Sequence, residues 1–196
     1  MLQLQLDLDQ PQLPHGTDSV RHLLARITPP APDPTREVPP LDLAIVIDAS
    51  GSMNGPPLAA ATEATLRLAR ELPSSTRLTV VSFAHDIIVH ADGLPLNQQG
   101  RREIQSNLLS LETRGATNLH AGWQTGCTLL AAETEHVTGR RKHVVVLSDG
   151  HANQGLQEPA ALASESRLQL DQGISTSCVG IGDGYSPEQL AALADH

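Results

Sequence analysis

The sequence predicts an α/β fold: a doubly wound, mostly parallel sheet that carries helices on both faces. From residue 41 onward, short segments with strand character alternate with longer segments of helical periodicity. The segments 43–47 and 143–147 are almost continuous apolar runs, which is typical of strands buried on both faces of a parallel sheet. Alternation of this kind indicates crossover units, so helices are expected above and below the sheet.

Five segments of this region have strand character and five have helical character. Residues 87–90 are few and flanked by polar residues, which indicates an edge strand. In chain order, the predicted elements are strand 41–47, helix 57–72, strand 77–83, strand 87–90, helix 99–111, helix 119–133, strand 143–147, helix 159–171, strand 174–181 and helix 187–194.

The first 40 residues have a different character. Leucines at alternate positions from Leu2 to Leu8 predict a half-buried strand, and the run 20–27 suits either a partner strand or a helix. Prolines then crowd the segment 29–40, which excludes helix and regular interior strand there. We therefore predict a small N-terminal β-extension with a proline-rich linker over 1–40, followed by the main domain over 41–196.

Composition excludes several classes of function. The formal charge of −9 and pI near 5.3 disfavour nucleic-acid binding, and the basic cluster at 140–143 is predicted to be a solvated turn. No segment suits insertion into a membrane, and the N-terminus does not resemble a secretory signal. Cys127 and Cys178 lie in apolar segments without metal or redox spacing, which favours buried reduced thiols and a cytoplasmic protein.

Three pieces of sequence supply hard oxygen atoms after predicted strands or turns. Asp48, Ser50 and Ser52 follow the first strand of the main domain, Thr117 follows a glycine turn, and Asp149 ends the valine-rich strand. Ligands collect at the carboxyl ends of strands in such sheets, so these side chains are expected to converge. Carboxylates and hydroxyls suit Mg²⁺, Mn²⁺ or Ca²⁺.

Together these pieces resemble the metal-ion-dependent adhesion site of a von Willebrand factor type A domain of the bacterial type. The resemblance covers residues 41–196, and the upstream residues resemble the short β-region that precedes such domains in bacterial relatives. It implies a Rossmann-like sheet with one short antiparallel edge strand. It also implies that Ser50, Ser52 and Thr117 contact the metal directly. Asp48 and Asp149 would act largely through water.

The resemblance further implies a protein-interaction module rather than an enzyme. A partner's Asp or Glu would complete the coordination sphere of Mg²⁺, and bacterial relatives suggest a ring-forming ATPase, a chaperone or a multiprotein assembly as the partner. Two departures from the family pattern stand out: position 116 is alanine where relatives often carry glycine, and the family's last strand and helix are expected to be missing. An open sheet edge there would favour pairing with another chain.

Several residues near the predicted ligands are expected to form a partner-binding rim. They are Met53, Asn118, His120, His151 and Asn153. A histidine in this position also permits an alternative, a metal-dependent phosphoesterase that uses Asp48, Asp149 and His151. A second alternative is a scaffold in which the metal is purely structural. Each piece taken singly also suits a turn or a helix cap.

Overall fold

The computed structural model describes residues 3–8, 20, 22–28, 39–132, 139–149, 152–182 and 185–194. The chain divides into two compact units, residues 1–38 and residues 39–196.

In the described part of the first unit, two strands form an antiparallel ribbon. Strand β1 is Gln3–Leu8 and strand β2 is Leu23–Thr28. The register pairs Leu4 with Ile27 and Leu8 with Leu23. Of the two structures that suited this second run, the strand is the one observed, because pairing satisfies its backbone and places Leu23 and Ile27 on one face with the leucines of β1, while Leu24 lies on the other face.

Within the described residues, the second unit contains a five-stranded sheet and five α-helices. The strands are β3 Leu41–Asp48, β4 Arg77–Phe83, β5 Ile87–Pro95, β6 Arg141–Ser148 and β7 Ile174–Gly180. The helices are α1 Pro56–Glu71, α2 Gln98–Leu108, α3 Leu119–Ala132, α4 Pro159–Asp171 and α5 Pro187–Leu193. A 3-10 turn, Gly51–Met53, links β3 to α1.

The strand order is β5-β4-β3-β6-β7, and only the pairing of β5 with β4 is antiparallel. This arrangement confirms the predicted fold class. The central strand β3 lies between β4 and β6, so its carboxyl end is surrounded by the loops that follow both neighbours.

Alternate residues of the strands lie in two hydrophobic cores, one on each face of the sheet. Val46, Phe83 and Val146 lie in one core with residues of α3, α4 and α5. Ile45 and Val80 lie in the other with residues of α1 and α2. The continuous apolar pattern of the strands follows from this burial on both faces.

Helix α3 approaches the sheet closely because two of its residues lack a side chain. A Cβ atom on Gly122 would lie 2.5 Å from Phe83, and one on Gly126 would lie 2.8 Å from Val46. Trp123 of the same helix is fully buried, and its indole Nε1 donates to Thr176 Oγ1 at 3.1 Å. The indole of this core residue therefore ties α3 to β7.

Two predicted features differ from the structure. Strand β5 continues to Pro95 rather than ending at residue 90. The prediction was too short because register shifts opposite Leu78–Val81 break the alternating pattern that marks a strand in the sequence. The solvated-turn prediction for the basic cluster 140–143 is wrong, because residues 141–143 begin strand β6 and Arg140 is largely buried. Its side chain is only 10% exposed, and its Nε lies 2.6 Å from Oδ1 of the buried Asp42. Among the described residues, no helix is long and apolar enough to cross a membrane.

Candidate metal centre

The candidate site lies at the carboxyl ends of β3 and β6. These strands are parallel neighbours with Ile47 beside Leu147, so the residues that follow each strand meet at one edge of the sheet. Asp48 ends β3, and Asp149 directly follows β6. The predicted convergence of the two carboxylates therefore has a structural basis in the pairing of the strands.

Asp48 is completely buried, and both of its carboxylate oxygens accept hydrogen bonds. The backbone N–H of Ser50 donates to Oδ1 at 2.8 Å, and the Ser148 hydroxyl donates to Oδ2 at 2.6 Å. Burial raises the pKa of Asp48 above its ordinary value of 3.8. The hydrogen bonds from the two serines oppose that rise, and the charge of Asp149 adds to it.

A chain of close oxygen contacts runs from Ser50 to Asp149. The hydroxyls of Ser50 and Ser52 are 3.1 Å apart, and Ser52 Oγ donates to Asp149 Oδ1 at 3.0 Å. Ser50 is buried, whereas Ser52 is exposed. The oxygen cluster therefore extends from the sheet edge to solvent.

Backbone hydrogen bonds hold the loop of Thr117 against the loop that carries the serines. Arg114 N donates to Ala49 O at 2.6 Å, and Gly51 N donates to Gly115 O at 3.1 Å. Thr117 itself is buried, and no hydrogen bond to its hydroxyl is present in the described part of the chain. That oxygen is available to a further ligand.

A second set of bonds fixes Thr117 from the side of the loop after β6. Thr117 N donates to Asn153 Oδ1 at 2.9 Å, and Asn153 N donates back to Thr117 O at 3.0 Å. Three separate loops are thereby joined through their backbones. Asn153, predicted as a rim residue, is exposed and positions the threonine.

Gly115 is required at its turn for two reasons. Its φ of +41° is a conformation that residues with a side chain rarely adopt, and an added Cβ would lie 2.6 Å from His85 Nδ1. His85 itself is exposed beside this turn.

The other predicted rim residues have different environments. Met53 is fully buried in the core beneath α1 and α2, so the rim assignment of its side chain is wrong; the 3-10 turn directs it inward. Asn118 Oδ1 accepts from Ala121 N at 3.2 Å and caps α3. His120 is half-buried beside Trp123, and its enclosed Nε2 has no hydrogen-bond partner among the described residues. His151 lies outside the described residues.

Two residues of the site were missed by the sequence analysis. Ser148 hydrogen-bonds Asp48, and its position directly before Asp149 on a strand paired with β3 could have indicated this. Arg114 binds Asp86 Oδ1 at 2.8 Å and Ser82 Oγ at 3.1 Å, and it precedes the threonine turn. No motif marks this arginine, because its partners lie on β4 and the loop that follows.

The donor set determines which metals the site suits. Among the described residues, no group of three or more His, Cys, Asp or Glu side chains could hold a metal. The oxygen cluster instead combines two carboxylates with hydroxyls, a set that fits hard divalent cations better than soft ones.

The fold is an open, mostly parallel α/β sheet, and hydroxyl and carboxylate oxygens cluster at the ends of its central strands. These features place the chain among α/β domains with a candidate cation site at the sheet edge. Residues 42–196 match the family model of the von Willebrand factor type A domain, and the chain belongs to that family. Domains of this family bind a divalent metal at the adhesion site and commonly mediate metal-dependent protein interactions. They are generally not enzymes.

Individual relatives share the fold over different parts of the chain. The uncharacterized protein YfbK of Escherichia coli (strain K12) is 26% identical over 164 residues, which cover 82% of this chain and 28% of YfbK. The von Willebrand factor type A protein from Catenulispora acidiphila superposes with a TM-score of 0.69 at 22% identity, covering 97% of this chain and 43% of its own.

Another similar solved structure has a metal bound in its adhesion motif. Proximal thread matrix protein 1 from the mussel byssus, with a zinc-occupied adhesion motif, superposes with a TM-score of 0.65 at 19% identity. The match covers 80% of this chain and 41% of that one. The chain described here thus spans less than half the length of each of these relatives.

Proposed function

We propose that this chain is a divalent-cation-dependent protein-interaction module with a complete metal-ion-dependent adhesion site of the bacterial type. The ligands are Asp48, Ser50, Ser52, Thr117 and Asp149. The observation that carries the proposal is the chain of oxygen contacts that joins Ser50 and Ser52 to Asp149 at 3.1 and 3.0 Å.

The spacing of these oxygens suits Mg²⁺. Neighbouring ligands of an octahedral Mg²⁺ ion at about 2.1 Å lie about 3.0 Å apart, whereas the larger Ca²⁺ spreads its ligands farther. The hydroxyl oxygens of Ser50 and Ser52, both proposed as direct ligands, are 3.1 Å apart, close to this spacing. We therefore propose Mg²⁺, with Mn²⁺ as the ion of nearest size, as the resident cation.

The hydrogen bonds of Asp48 support an indirect role for this carboxylate. Oδ1 is held by Ser50 N and Oδ2 by Ser148 Oγ, so both oxygens already have partners. Asp48 would orient the serine loop and contribute charge, while a water links it to the cation. The hydroxyls of Ser50, Ser52 and Thr117 would be the direct protein ligands.

The exposed side of the site would receive the partner. Ser52 is exposed, so one position of the coordination sphere would open to solvent and be filled by water until a partner binds. An Asp or Glu side chain of a partner protein is hard, anionic and suited to the remaining position. By family analogy the partner belongs to a ring-forming ATPase, a chaperone or another multiprotein assembly in the cytoplasm.

We do not propose hydrolysis as a second function. The alternative phosphoesterase needs Asp48, Asp149 and His151, and it stays a prediction because His151 lies outside the described residues.

Capture of partners from a lysate of the source cell tests the proposal. We expect at least one protein to be retained in Mg²⁺, released by EDTA, and absent when Ser52→Ala is the bait. Ser110→Ala is the matched control, because that exposed hydroxyl donates to Asn107 O at the end of its own helix, away from the oxygen cluster. If Ser52→Ala lowers thermal stability in Mg²⁺ while capturing the same proteins, the metal is a structural staple and the proposal is wrong.

A further inference from the structure

Gln189 of helix α5 holds both ends of the segment 152–157, which lies between β6 and α4. Its side-chain Oε1 accepts a hydrogen bond from Ala152 N at 2.9 Å, and its Nε2 donates to Gln157 O at 3.1 Å. Both bonds belong to one amide group. A single side chain therefore sets the separation between the two ends of this segment.

The middle of the segment 152–157 holds the backbone of Thr117. Asn153 N and Gln154 N both donate to Thr117 O, at 3.0 and 3.2 Å, and Asn153 Oδ1 accepts from Thr117 N at 2.9 Å. The N–H and C=O of the threonine are thus both fixed by this segment. Because the hydroxyl follows its backbone, a shift of the segment moves an oxygen that is proposed as a direct ligand.

Helix α5 has a firmer anchor than the segment that it holds. Leu190 and Leu193 are buried in the core that contains Trp123, and Leu193 O accepts from Ser166 Oγ of α4 at 2.7 Å. The segment 152–157 is neither helix nor strand, and most of its residues are exposed. Segments of this kind open most easily, so the position of the segment is set from α5.

The two bonds of Gln189 do more than satisfy buried polar groups. Ala152 is buried, and its N–H requires a partner, which Gln189 supplies. The bond to Gln157 O lies in an exposed place, where water could serve the same carbonyl. Its effect is therefore geometric, since it holds the far end of the segment against α5.

We propose that Gln189 is a positioning residue of the cation site, through which helix α5 acts on the affinity for Mg²⁺. The inference rests on the proposed function, because it takes Thr117 to be a ligand of the cation. The path runs from Gln189 to the segment 152–157 and from Asn153 to Thr117. By linkage, a bound cation must in turn tighten the segment against α5.

Calorimetric titration of Mg²⁺ into the full chain tests the inference. Gln189→Met keeps the length of the side chain and removes both hydrogen-bonding groups. We expect this variant to raise the dissociation constant for Mg²⁺ about tenfold, as is usual when a residue that orients a ligand is lost. Ser166→Ala is the control: it loosens α5 from α4 without touching the segment, so it should lower the melting temperature and leave the affinity unchanged.

The outcomes separate this inference from the proposed function. A wild type that binds no Mg²⁺ would overturn the proposed function and the role of Gln189 with it. A wild type and Gln189→Met that bind Mg²⁺ equally tightly would overturn the role of Gln189 alone. Equal losses of affinity in Gln189→Met and Ser166→Ala would trace the effect to a loosened helix and overturn it as well.

Hydrogen exchange of the Ala152 N–H, followed by NMR, tests the coupling in the opposite direction. We expect Mg²⁺ to slow this exchange in the wild type and to slow it less in Gln189→Met. Loss of stability alone would raise the exchange rate of Gln189→Met without changing its response to Mg²⁺. An exchange rate at Ala152 that Mg²⁺ leaves unchanged in the wild type would overturn the inference, because coupling between two sites is reciprocal.

Discussion

Ser52 Oγ donates a hydrogen bond to Asp149 Oδ1 across 3.0 Å, although 97 residues separate the two in the chain. The contact exists because β3 and β6 are adjacent parallel strands whose carboxyl ends lie side by side. It joins the exposed end of the serine loop to the second carboxylate of the site. The relationship joins oxygen atoms of the two loops into one cluster.

Replacement of Asp48 by asparagine should stabilise the cation-free protein while abolishing cation binding. A buried carboxylate whose pKa is raised by burial is destabilising in its charged form, and asparagine keeps an oxygen for Ser50 N. We expect the free energy of unfolding in EDTA at neutral pH to rise by about 1 kcal/mol. Chemical denaturation in EDTA and in Mg²⁺ measures both effects, and a variant stabilised further by Mg²⁺ would contradict the account.

On acidification, the affinity for Mg²⁺ should begin to fall at a higher pH than it would if Asp48 had the pKa of an ordinary aspartate. The folded, cation-free protein holds the Asp48 proton to higher pH than the unfolded chain does, because its pKa is raised above 3.8. Its free energy of unfolding therefore falls as pH rises from 3.8 through the raised pKa, while the affinity for Mg²⁺ increases over the same window. Calorimetric titrations at a series of pH values measure this slope, and a constant affinity down to pH 4 would contradict the account.

Arg114 should act as a positioning residue for the threonine loop. Its guanidinium binds Asp86 and Ser82 while its backbone N–H holds Ala49 O, and the hydrogen bond from Arg114 lowers the pKa of Asp86. Arg114→Lys should weaken Mg²⁺ binding by roughly tenfold, since a lysine cannot bridge both partners. The matched control is Arg67→Lys, whose exposed pair with Glu71 should leave the affinity unchanged.

Gly115→Ala should destabilise the site through both backbone strain and a clash. A side chain at φ +41° costs about 1–2 kcal/mol, and the added Cβ would meet His85 Nδ1. The double variant with His85→Ala should recover the part of the loss due to the clash and retain the part due to the backbone. Thermal unfolding of the wild type, the two single variants and the double variant measures this double-mutant cycle. Strictly additive effects on stability would show that the imidazole does not oppose the new methyl group.

The fold could be predicted from the sequence because its strands are buried on both faces and its helices have regular apolar periods. Strand β5 was predicted too short, since its register shifts break the alternation. Arg140 was assigned to solvent because sequence patterns do not show that it pairs with the buried Asp42, which is 98 residues away in the chain.

The proposed ligands Asp48, Ser50, Ser52 and Asp149 could be proposed from the sequence because they follow strands β3 and β6 in a recognisable order. Their supporting residues could not, and Arg114 illustrates the reason. Its partners Ser82 and Asp86 are more than 25 residues earlier, and only the packing of β4 beside β3 brings them together. Met53 was placed at the rim because it follows Ser52, yet the 3-10 turn directs it into the core.

Direct calorimetric titration of Mg²⁺ into the wild type and Ser52→Ala tests the central claim. Ser52 is exposed, and within the described residues its hydroxyl bonds Ser50 and Asp149, so its replacement should not disturb the fold. The account predicts one Mg²⁺ per chain and at least a tenfold loss of affinity in Ser52→Ala, with Ser110→Ala unchanged. Equal Mg²⁺ affinity in the wild type and Ser52→Ala would contradict it.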